Sequence, residues 1–249
     1  MTHVHNPQSL HHTPAQDARP LIELRDFCFA YDELVALSHV DLDIMAGDAV
    51  VLMGDNGSGK STLLKALVGL IFAQQGSYRF DGELVNEKTM RDPAFSKRLH
   101  QRIGFVFQDS DAQLFCSSVE DEIAFGPRQM GLSEQEVEKR VSDTCELLGI
   151  SHLRTRAPYN LSGGEKKRVA IACVLSMNPD ALCLDEPLAG LDAKMRSWLL
   201  GFLGELKAAG KTLVIATHDQ SLADEVADYF VYFGDFHGYE DRPHIHLGR

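Results

Sequence analysis

The chain has 249 residues, of which 44% are hydrophobic and 24% are charged, a composition that suits a globular protein with a buried core and excludes bulk disorder. Its 24 Lys and Arg residues against 36 Asp and Glu residues give a net charge of -12. A field of that sign repels nucleic acid and anionic lipid headgroups, so it argues against a broad nucleic-acid-binding face and leaves room only for a local basic patch.

Secreted and membrane-spanning classes are also disfavoured. No apolar run reaches the roughly 18–20 residues of a bilayer span, and the N-terminal segment lacks the apolar core of a signal peptide. The cysteines are odd in number and show no CxxC spacing, which predicts free thiols in a reducing compartment and neither a disulfide framework nor a zinc site. They are Cys28, Cys116, Cys145, Cys173 and Cys183.

The first part of the chain predicts strands that lead into a glycine-rich turn. Residues 1–19 are polar and predict a flexible N-terminal tail. Residues 21–31 and 36–45 contain the alternating pattern of half-buried strands, and residues 49–53 form the continuous apolar run of a strand buried on both faces. The sequence GDNGSGKST follows at once, and residues 62–70 then predict a helix.

Further along, helices alternate with strands, which predicts a mostly parallel sheet with crossover connections. Residues 109–160 interrupt this alternation with polar, helix-forming sequence and predict a helical insertion, whose clearest helix covers 133–148. The other predicted strands are 76–85, 103–107, 181–184, 213–216 and 229–233, the other helices are 163–177, 194–209 and 222–227, and 234–249 is predicted to be a C-terminal tail.

The glycine-rich turn fits the pattern G-x-x-x-x-G-K-[ST]. Glycines let backbone N–H groups surround a polyphosphate, and the N-terminus of the following helix favours the same anion. Lys60 can reach the β- and γ-phosphates, the Ser61 hydroxyl can bind Mg²⁺, and Asp55 is compatible with an anion only if it points to water. A chance glycine-rich turn is the alternative, but the strand before it and the helix after it favour a nucleotide site. The predicted binding residues are Gly54, Asp55, Asn56, Gly57, Ser58, Gly59, Lys60, Ser61 and Thr62.

A second group of polar residues ends the apolar run ALCL. Ligands of a parallel sheet lie beyond the carboxyl ends of its strands, so Asp185 is predicted to lie near a Mg²⁺ ion on Ser61. Side chains alternate along a strand, so Glu186 is expected on the other face, free to polarise a water for in-line attack on a phosphate. By itself an acidic strand end is common; its coincidence with the phosphate loop favours catalysis.

The segment LSGGE precedes a strongly patterned helix. Ser162, Gly163 and Gly164 offer backbone donors and a hydroxyl to a second anion, although a simple helix cap is the commoner explanation of such a segment. One nucleotide has no obvious use for two distant anion sites in one chain. Two chains arranged head to tail do, with each LSGGE segment closing over the other chain's γ-phosphate.

With these motifs in family order, followed by LAGLD, residues 21–233 resemble the ATP-binding-cassette (ABC) ATPases. The resemblance implies an α/β P-loop NTPase fold, with an ABC ATPase domain at 20–233. That domain is expected to have a RecA-like, mostly parallel core, an antiparallel β subdomain and an inserted α-helical subdomain at about 109–165. It also implies an ATPase that uses ATP and Mg²⁺. Glu165 stands where Gln is commoner and Leu188 where Thr often occurs; neither change removes a catalytic group.

Other residues acquire roles by the same resemblance. Gln108 matches the glutamine that senses γ-phosphate, Mg²⁺ and the attacking water, and His218 matches the histidine that contacts γ-phosphate and orients the catalytic glutamate. Asp192 matches an aspartate at the dimer interface. Tyr31 matches the aromatic that stacks on adenine, with Phe29 as a nearby rival.

The segments FQDSDAQLF and AFGP resemble the energy-coupling-factor branch, most closely its cobalt and nickel importers. There this region grips a coupling helix of a membrane partner. Leu114, Phe115 and Phe125 are expected to line an apolar pocket beside Gln108, although aromatic residues at such positions can also belong to a helical core. The resemblance implies a homodimer or heterodimer of ATPase subunits with integral membrane and substrate-binding subunits, peripheral to the cytoplasmic face of the membrane.

The transported substrate stays open between a metal ion and a vitamin or other small solute. Histidine is a good ligand for Co²⁺ and Ni²⁺, but histidines in chain tails are often only solvated. A soluble ABC ATPase acting on nucleic acid or ribosomes is the alternative from another class, and the net charge disfavours it; a nucleotide kinase is more distant because it has no use for LSGGE. The tail histidines are His3, His5, His11, His12, His237, His244 and His246.

Overall fold

The computed structural model describes residues 19–233 and the backbone of residues 245–248. Residues 1–18 of the predicted N-terminal tail and the rest of the predicted C-terminal tail lie outside the described residues, and so do His3, His5, His11, His12, His237 and His244. The domain boundaries therefore stay predictions at both ends.

The described residues form two sheets with helices on and between them. The strands are β1 (Ile22–Tyr31), β2 (Leu34–Ile44), β3 (Ala49–Gly54), β4 (Gln75–Phe80), β5 (Glu83–Leu84), β6 (Ile103–Val106), β7 (Ala181–Asp185), β8 (Thr212–Ala216), β9 (Tyr229–Phe233) and β10 (Ile245–Gly248). The helices are α1 (Lys60–Leu67), α2 (Glu87–Met90), α3 (Pro93–Arg102), α4 (Val119–Met130), α5 (Glu134–Leu147), α6 (Gly163–Leu175), α7 (Ala193–Ala208) and α8 (Gln220–Val226).

The larger sheet has the order β10-β9-β3-β8-β7-β6, and every neighbouring pair except β10–β9 is parallel. Strands β7 and β8 are buried along their whole length, as expected of parallel strands covered on both faces. The smaller sheet, β2-β1-β4-β5, is antiparallel. This is the α/β class predicted from the sequence, and the fold prediction is confirmed.

The buried apolar residues form two cores, one on each face of the parallel sheet. One lies between the antiparallel sheet, α1 and one face of the parallel sheet, and includes Leu24, Leu63 and Val214. The other lies on the opposite face and joins α4, α5, α6 and α7, with Ile123, Val141 and Leu199 at its centre. The helical segment between β6 and β7 thus shares a core with the parallel sheet, so the two are packed together.

Three helices were not individually predicted. Helices α2 and α3 begin at side-chain caps, Asn86 and Asp92, and α4 begins at Ser118. Helix α4 also contains Pro127, which cannot donate a backbone hydrogen bond and is typical of helix ends. Among the described residues no helix has the length and apolar character of a membrane span.

Candidate functional site

The loop between β3 and α1 forms a tight backbone cradle. Gly54, Gly57 and Gly59 have φ values of 142°, 85° and 104°, in the region that favours glycine. A Cβ on Gly54 would lie 2.5 Å from the carbonyl oxygen of Phe233, and one on Gly59 would lie 2.5 Å from that of Ala36. The cradle therefore depends on glycine at both positions. Asp55 is exposed, as its charge requires.

Lys60 crosses the mouth of this cradle. It is 6% exposed, and its Nζ donates to the carbonyl oxygens of Gly54, at 2.6 Å, and Asp55, at 2.8 Å. Burial lowers the pKa of Lys60, while the nearby carboxylates of Glu186 and Asp185 oppose that shift. A half-desolvated ammonium beside backbone N–H donors gives a strong site for an anion such as a phosphate.

The hydroxyl of Ser61 donates to Asp185 Oδ1 at 2.9 Å. Burial raises the pKa of Asp185, and the hydrogen bond from Ser61 works in the opposite direction. A hydroxyl and a carboxylate are the hard oxygen ligands that Mg²⁺ prefers. Elsewhere in the same loop, Ser58 Oγ is buried and has no hydrogen-bond partner among the described residues. The hydroxyl of Ser61 and the carboxylate of Asp185 fit a phosphate-bound Mg²⁺ ion.

Glu186 does not follow the strand alternation expected from the sequence. Strand β7 ends at Asp185, and Glu186 has a φ of 41°, outside the extended conformation. Its Oε1 lies 2.9 Å from His218 Nδ1, and its Oε2 accepts a hydrogen bond from Thr217 Oγ1 at 3.1 Å. Glu186 lines the same cavity as Ser61, the hydrogen-bond partner of Asp185. Sequence reasoning missed the contribution of Thr217.

A cavity of about 360 Å³ connects these groups. Gln108, from the loop after β6, reaches it from the other side and is exposed. The ammonium of Lys60, the phosphate loop, the amide of Gln108 and the carboxylate of Glu186 thus surround one cavity. This set of groups suits transfer of a phosphoryl group to water. The lining residues are Asn56, Gly57, Gly59, Lys60, Ser61, Thr62, Gln108, Glu186, Ala189 and His218.

Ser162, Gly163, Gly164, Asp192 and Tyr31 do not line this cavity. Ser162 is the N-cap of α6 and forms a reciprocal capping box with Glu165, whose Oε2 accepts from Ser162 N at 2.8 Å and Oγ at 2.7 Å. These hydrogen bonds lower the pKa of Glu165. Ser162 and Gly163 are exposed, and the two donors of Ser162 are engaged by Glu165 of the same chain.

Asp192 and Tyr31 lie at two other edges of the molecule. Asp192 caps α7 by accepting from Met195 N at 2.8 Å, and the Met195 side chain packs beside Gly164. Tyr31, at the end of β1, is 41% exposed. Its ring meets Phe29 edge to face, with ring centroids 4.8 Å apart, so the two aromatic residues form one surface and both stay candidates for base stacking.

A second, apolar cavity of about 480 Å³ lies between the loop after β6, α4 and α6. Phe115 and Phe125 line it and meet edge to face, with ring centroids 5.2 Å apart. Phe115 is 69% exposed. Leu114 was expected here, but it packs instead against the helical core. We call this surface the aromatic groove; it is lined by Phe107, Phe115, Phe125, Gln129, Met130 and Met177, among others.

Lys167 links the groove to the polar cavity and was missed by sequence reasoning. It is 2% exposed, and its Nζ donates to the carbonyl oxygens of Phe107, at 3.1 Å, and Gln108, at 2.9 Å. Burial lowers the pKa of Lys167 to about 8. The run EKKR resembles a solvated charge cluster, but the helical spacing from Lys167 to Ala170, Ile171 and Val174 places it on the buried stripe.

Comparison with known proteins gives one consistent family. A family model described as "ABC transporter" matches residues 37–189. The nickel import ATP-binding protein LarO of Lactiplantibacillus plantarum is 45% identical over 217 residues, 87% of this chain and 90% of that protein. The energy-coupling factor transporter ATP-binding protein EcfA of Methanothermobacter thermautotrophicus is 41% identical over 209 residues, 84% of this chain and 66% of that protein.

Two solved structures resemble this one at a TM-score of 0.77. One is cbiO1 of Clostridium perfringens, described as part of the ABC transporter complex cbiONQ, at 36% identity over 86% of this chain and 84% of that one. The other is the dimeric structure of MJ0796, a bacterial ABC transporter cassette, at 29% identity over 85% of this chain and 94% of that one.

Proposed function

This chain belongs to the ABC transporter family of ATP-hydrolysing cassettes, and we propose that it energises import of a transition-metal ion, nickel or cobalt, through separate membrane subunits. It is an ATPase subunit of the importer type found in energy-coupling factor transporters. The proposal rests chiefly on one observation: adjacent residues of one loop line the two cavities, Phe107 the aromatic groove and Gln108 the phosphate cavity.

The hydrolytic step follows from the residues around the phosphate cavity. Glu186, held by Thr217 and His218, takes a proton from the attacking water. The water attacks the γ-phosphorus and the bond to the β-phosphate oxygen breaks, while Lys60 stabilises the negative charge on the β- and γ-phosphate oxygens. His218 orients both Glu186 and the γ-phosphate. A Mg²⁺ ion held by Ser61, Gln108 and Asp185 would neutralise charge shared between the β- and γ-phosphates.

A second ATPase subunit completes each site. Ser162, Gly163 and Gly164 do not line the cavity of their own chain, and Ser162 and Gly163 are exposed, which supports a head-to-tail pair in which this segment closes over the partner's γ-phosphate. Asp192 begins α7 beside Gly164, at the same surface. The dimeric assembly of a related cassette supports such pairing, and the partner is a second copy or a paralogue.

The loop after β6 is proposed to transmit the change between bound nucleotides to the membrane subunit. When Gln108 moves with the γ-phosphate, the backbone of Phe107 moves with it, because Lys167 holds both carbonyl groups. The aromatic groove then shifts relative to a membrane subunit whose helix fills it. We therefore expect the chain to lie at the cytoplasmic face of the membrane, as a peripheral subunit.

The choice of a metal ion is supported by the similarity to a nickel import protein; a vitamin or another small solute is the alternative. The test is reconstitution of the ATPase with its membrane subunits in liposomes, with radioactive nickel or cobalt outside and ATP inside. ATP-dependent uptake that Glu186→Gln abolishes supports the proposal. An active, coupled complex that accumulates neither ion, but does accumulate a vitamin, would overturn the metal assignment.

A further inference from the structure

Three potential metal ligands converge on the outer face of the antiparallel sheet. Asp26 and Cys28 come from β1 and His39 from β2, and one ligand atom of each lies within 4.8 Å of the others. Phe27, between the first two, is 1% exposed and faces the core, so the cluster lies on the solvent side. It is distinct from the phosphate cavity and from the aromatic groove.

An irregular backbone brings these residues together. Asp26 and His39 have φ values of 50° and 51°, which non-glycine residues rarely adopt. The β1–β2 register shifts on both sides of Phe27, and the β1–β4 register shifts between Arg25 and Cys28. On β4, a Cβ on Gly76 would lie 2.1 Å from the carbonyl oxygen of Asp26. Three strands therefore fix the bulge that aims the side chains at one point.

The cluster is already connected by hydrogen bonds. His39 Nδ1 lies 2.5 Å from Asp26 Oδ1, and Gln75 Nε2 donates to Asp26 Oδ2 at 2.7 Å. Cys28 Sγ accepts from the backbone N–H of His39 at 3.1 Å. The hydrogen bonds from His39 and Gln75 lower the pKa of Asp26, so the carboxylate is ionised at neutral pH. Gln75 then acts as an outer partner that orients a ligand.

We propose that Asp26, Cys28 and His39 bind a divalent transition-metal ion such as Zn²⁺, Co²⁺ or Ni²⁺, with water completing its coordination. Thiolate, imidazole and carboxylate are the ligands of such ions, and ligand bonds of about 2.0–2.3 Å require donor atoms about 3–4 Å apart. The three ligand atoms lie within 4.8 Å of one another and the His39–Asp26 pair is 2.5 Å apart, so the side chains must rotate to reach this spacing. On binding, Cys28 releases its thiol proton to solvent and the Nδ1 proton of His39 moves to Nε2, so two negative charges face the dication.

The site has a structural consequence for the strand that carries Phe29 and Tyr31. A bound ion would join β1 to β2 and, through Gln75, to β4, so it would stabilise the folded antiparallel sheet. The inference does not depend on the proposed import function, because it concerns the cassette alone without nucleotide.

The experiment is titration of the purified, reduced protein with CoCl₂ under anaerobic conditions, read by absorption. Histidine is a good ligand for cobalt wherever it occurs in the chain, so the total amount of cobalt bound does not identify this site. A thiolate-to-cobalt charge-transfer band reports a cysteine ligand only. The variants are Cys28→Ser, Asp26→Asn and His39→Gln, with Cys116→Ser as the control because Cys116 is a half-buried cysteine of another surface.

We expect the band in the unaltered protein, its loss in Cys28→Ser, and cobalt affinity weakened by about tenfold or more in Asp26→Asn and His39→Gln. Cys116→Ser should titrate like the unaltered protein, and ZnCl₂ should bleach the band. Asp26→Asn keeps the size of the side chain but only one of its two acceptor oxygens, so the far-ultraviolet circular dichroism of each variant is compared with that of the unaltered protein to exclude a folding defect. Absence of the band, or its survival in Cys28→Ser, would overturn the proposal.

Discussion

Glu186 Oε1 and His218 Nδ1 are 2.9 Å apart although they follow different strands. The contact arises from the register of β7 and β8, which pairs Asp185 with Ala216 and so brings the two chain segments that leave the sheet side by side. The backbone N–H of Glu186 donates to the carbonyl oxygen of Ala216 at 2.8 Å and extends that pairing by one step. The sheet itself therefore positions the carboxylate.

Replacing Glu186 by Gln tests its role as the base. The amide keeps the size of the side chain but cannot accept a proton, so we expect ATP turnover to fall by about a hundredfold or more while ATP binding persists. Glu225→Gln, on the exposed face of α8, is the matched control and should hydrolyse at the parent rate. Parent-rate hydrolysis by Glu186→Gln would show that the base is assigned wrongly.

Thr217 is expected to act by positioning Glu186. Its side chain is fully buried, donates to Glu186 Oε2 at 3.1 Å, and accepts from the backbone N–H of Asp219 at 3.1 Å. Loss of the hydroxyl in Thr217→Val should lower kcat about tenfold, the effect of one hydrogen bond of about 1.4 kcal/mol. KM for ATP should change little, and Thr217→Ser should restore the rate. A raised KM with unchanged kcat would contradict this role.

The buried Lys167 predicts a pH-dependent stability. Its pKa is lowered from 10.5 to about 8, so between these values the unfolded chain binds more protons and the folded state gains stability as pH rises. Relative to Lys167→Met, the unaltered protein should gain up to about 3 kcal/mol in the free energy of unfolding across that interval. Urea unfolding at several pH values measures it, with exposed Lys139→Met as the control.

The free energy of unfolding of the unaltered protein is compared with that of Lys167→Met at each pH. If the difference between them stays constant or falls as pH rises, the ammonium is not desolvated as the structure indicates. Below pH 8 the folded protein bears the full free-energy cost of burying the charged Lys167 side chain. The unfolding measurements must therefore begin below pH 8 and continue to higher pH. The same variant leaves the carbonyl groups of Phe107 and Gln108 without their buried donor.

The aromatic groove predicts a charge-sensitive contact with the membrane subunits. Phe115 is 69% exposed, and burying such a ring on association contributes about 2 kcal/mol or more. The variant Phe115→Asp loses the free energy of burying the ring, and burying its carboxylate adds a desolvation cost. Its affinity for the detergent-solubilised membrane subunits should therefore fall about a hundredfold. Leu147→Asp, at an exposed apolar residue outside the groove, should bind normally. Equal losses in both variants would remove the groove from the interface.

The positions of most strands, and of α1, α5, α6, α7 and α8, were predictable from the sequence because the strands β3, β7 and β8 are short, continuously apolar and followed by polar turns. The order of the strands in the sheet was not predicted. Helix α4 was not resolved as a helix, since Gly126 and Pro127 are typical of helix ends and its cap, Ser118, lies within a polar run. Strand β10 lies in what was predicted to be a tail; its pairing with β9 depends on a sheet edge that local sequence does not reveal.

Spacing along one turn is enough to bring the residues of a single motif together, as for Lys60 and Ser61 at the phosphate cavity, while their roles stay predictions. Contacts between distant segments were not predictable from the sequence. The hydrogen bonds of Lys167 form only because α6 packs against the loop after β6. The hydrogen bond from Thr217 to Glu186 depends on the register between β7 and β8. Leu114 was expected in the groove, yet the loop turns it into the core. The cluster of Asp26, Cys28 and His39 depends on a bulge, which alternation rules do not anticipate.

The charge of Glu165 is expected to weaken nucleotide-dependent dimerisation, because it lies beside the donors proposed to receive the partner's γ-phosphate. Ser162 donates to it from N and Oγ, which lowers its pKa and keeps it ionised. Glu165→Gln preserves the capping box but removes the charge that repels the triphosphate. In a Glu186→Gln background, Mg·ATP-dependent dimerisation should tighten about fivefold, for a repulsion of about 1 kcal/mol.

Analytical ultracentrifugation with and without nucleotide measures this change. The chain contains its own control: Ser133 and Glu136 form the same capping box at the start of α5, and hydrogen bonds from Ser133 likewise lower the pKa of Glu136. Glu136→Gln changes net charge and helix capping equally, but α5 carries none of the donors proposed to face the partner. A shift of the same size in both variants would mean that only net charge matters, and weaker pairing in Glu165→Gln would show that the carboxylate assists closure.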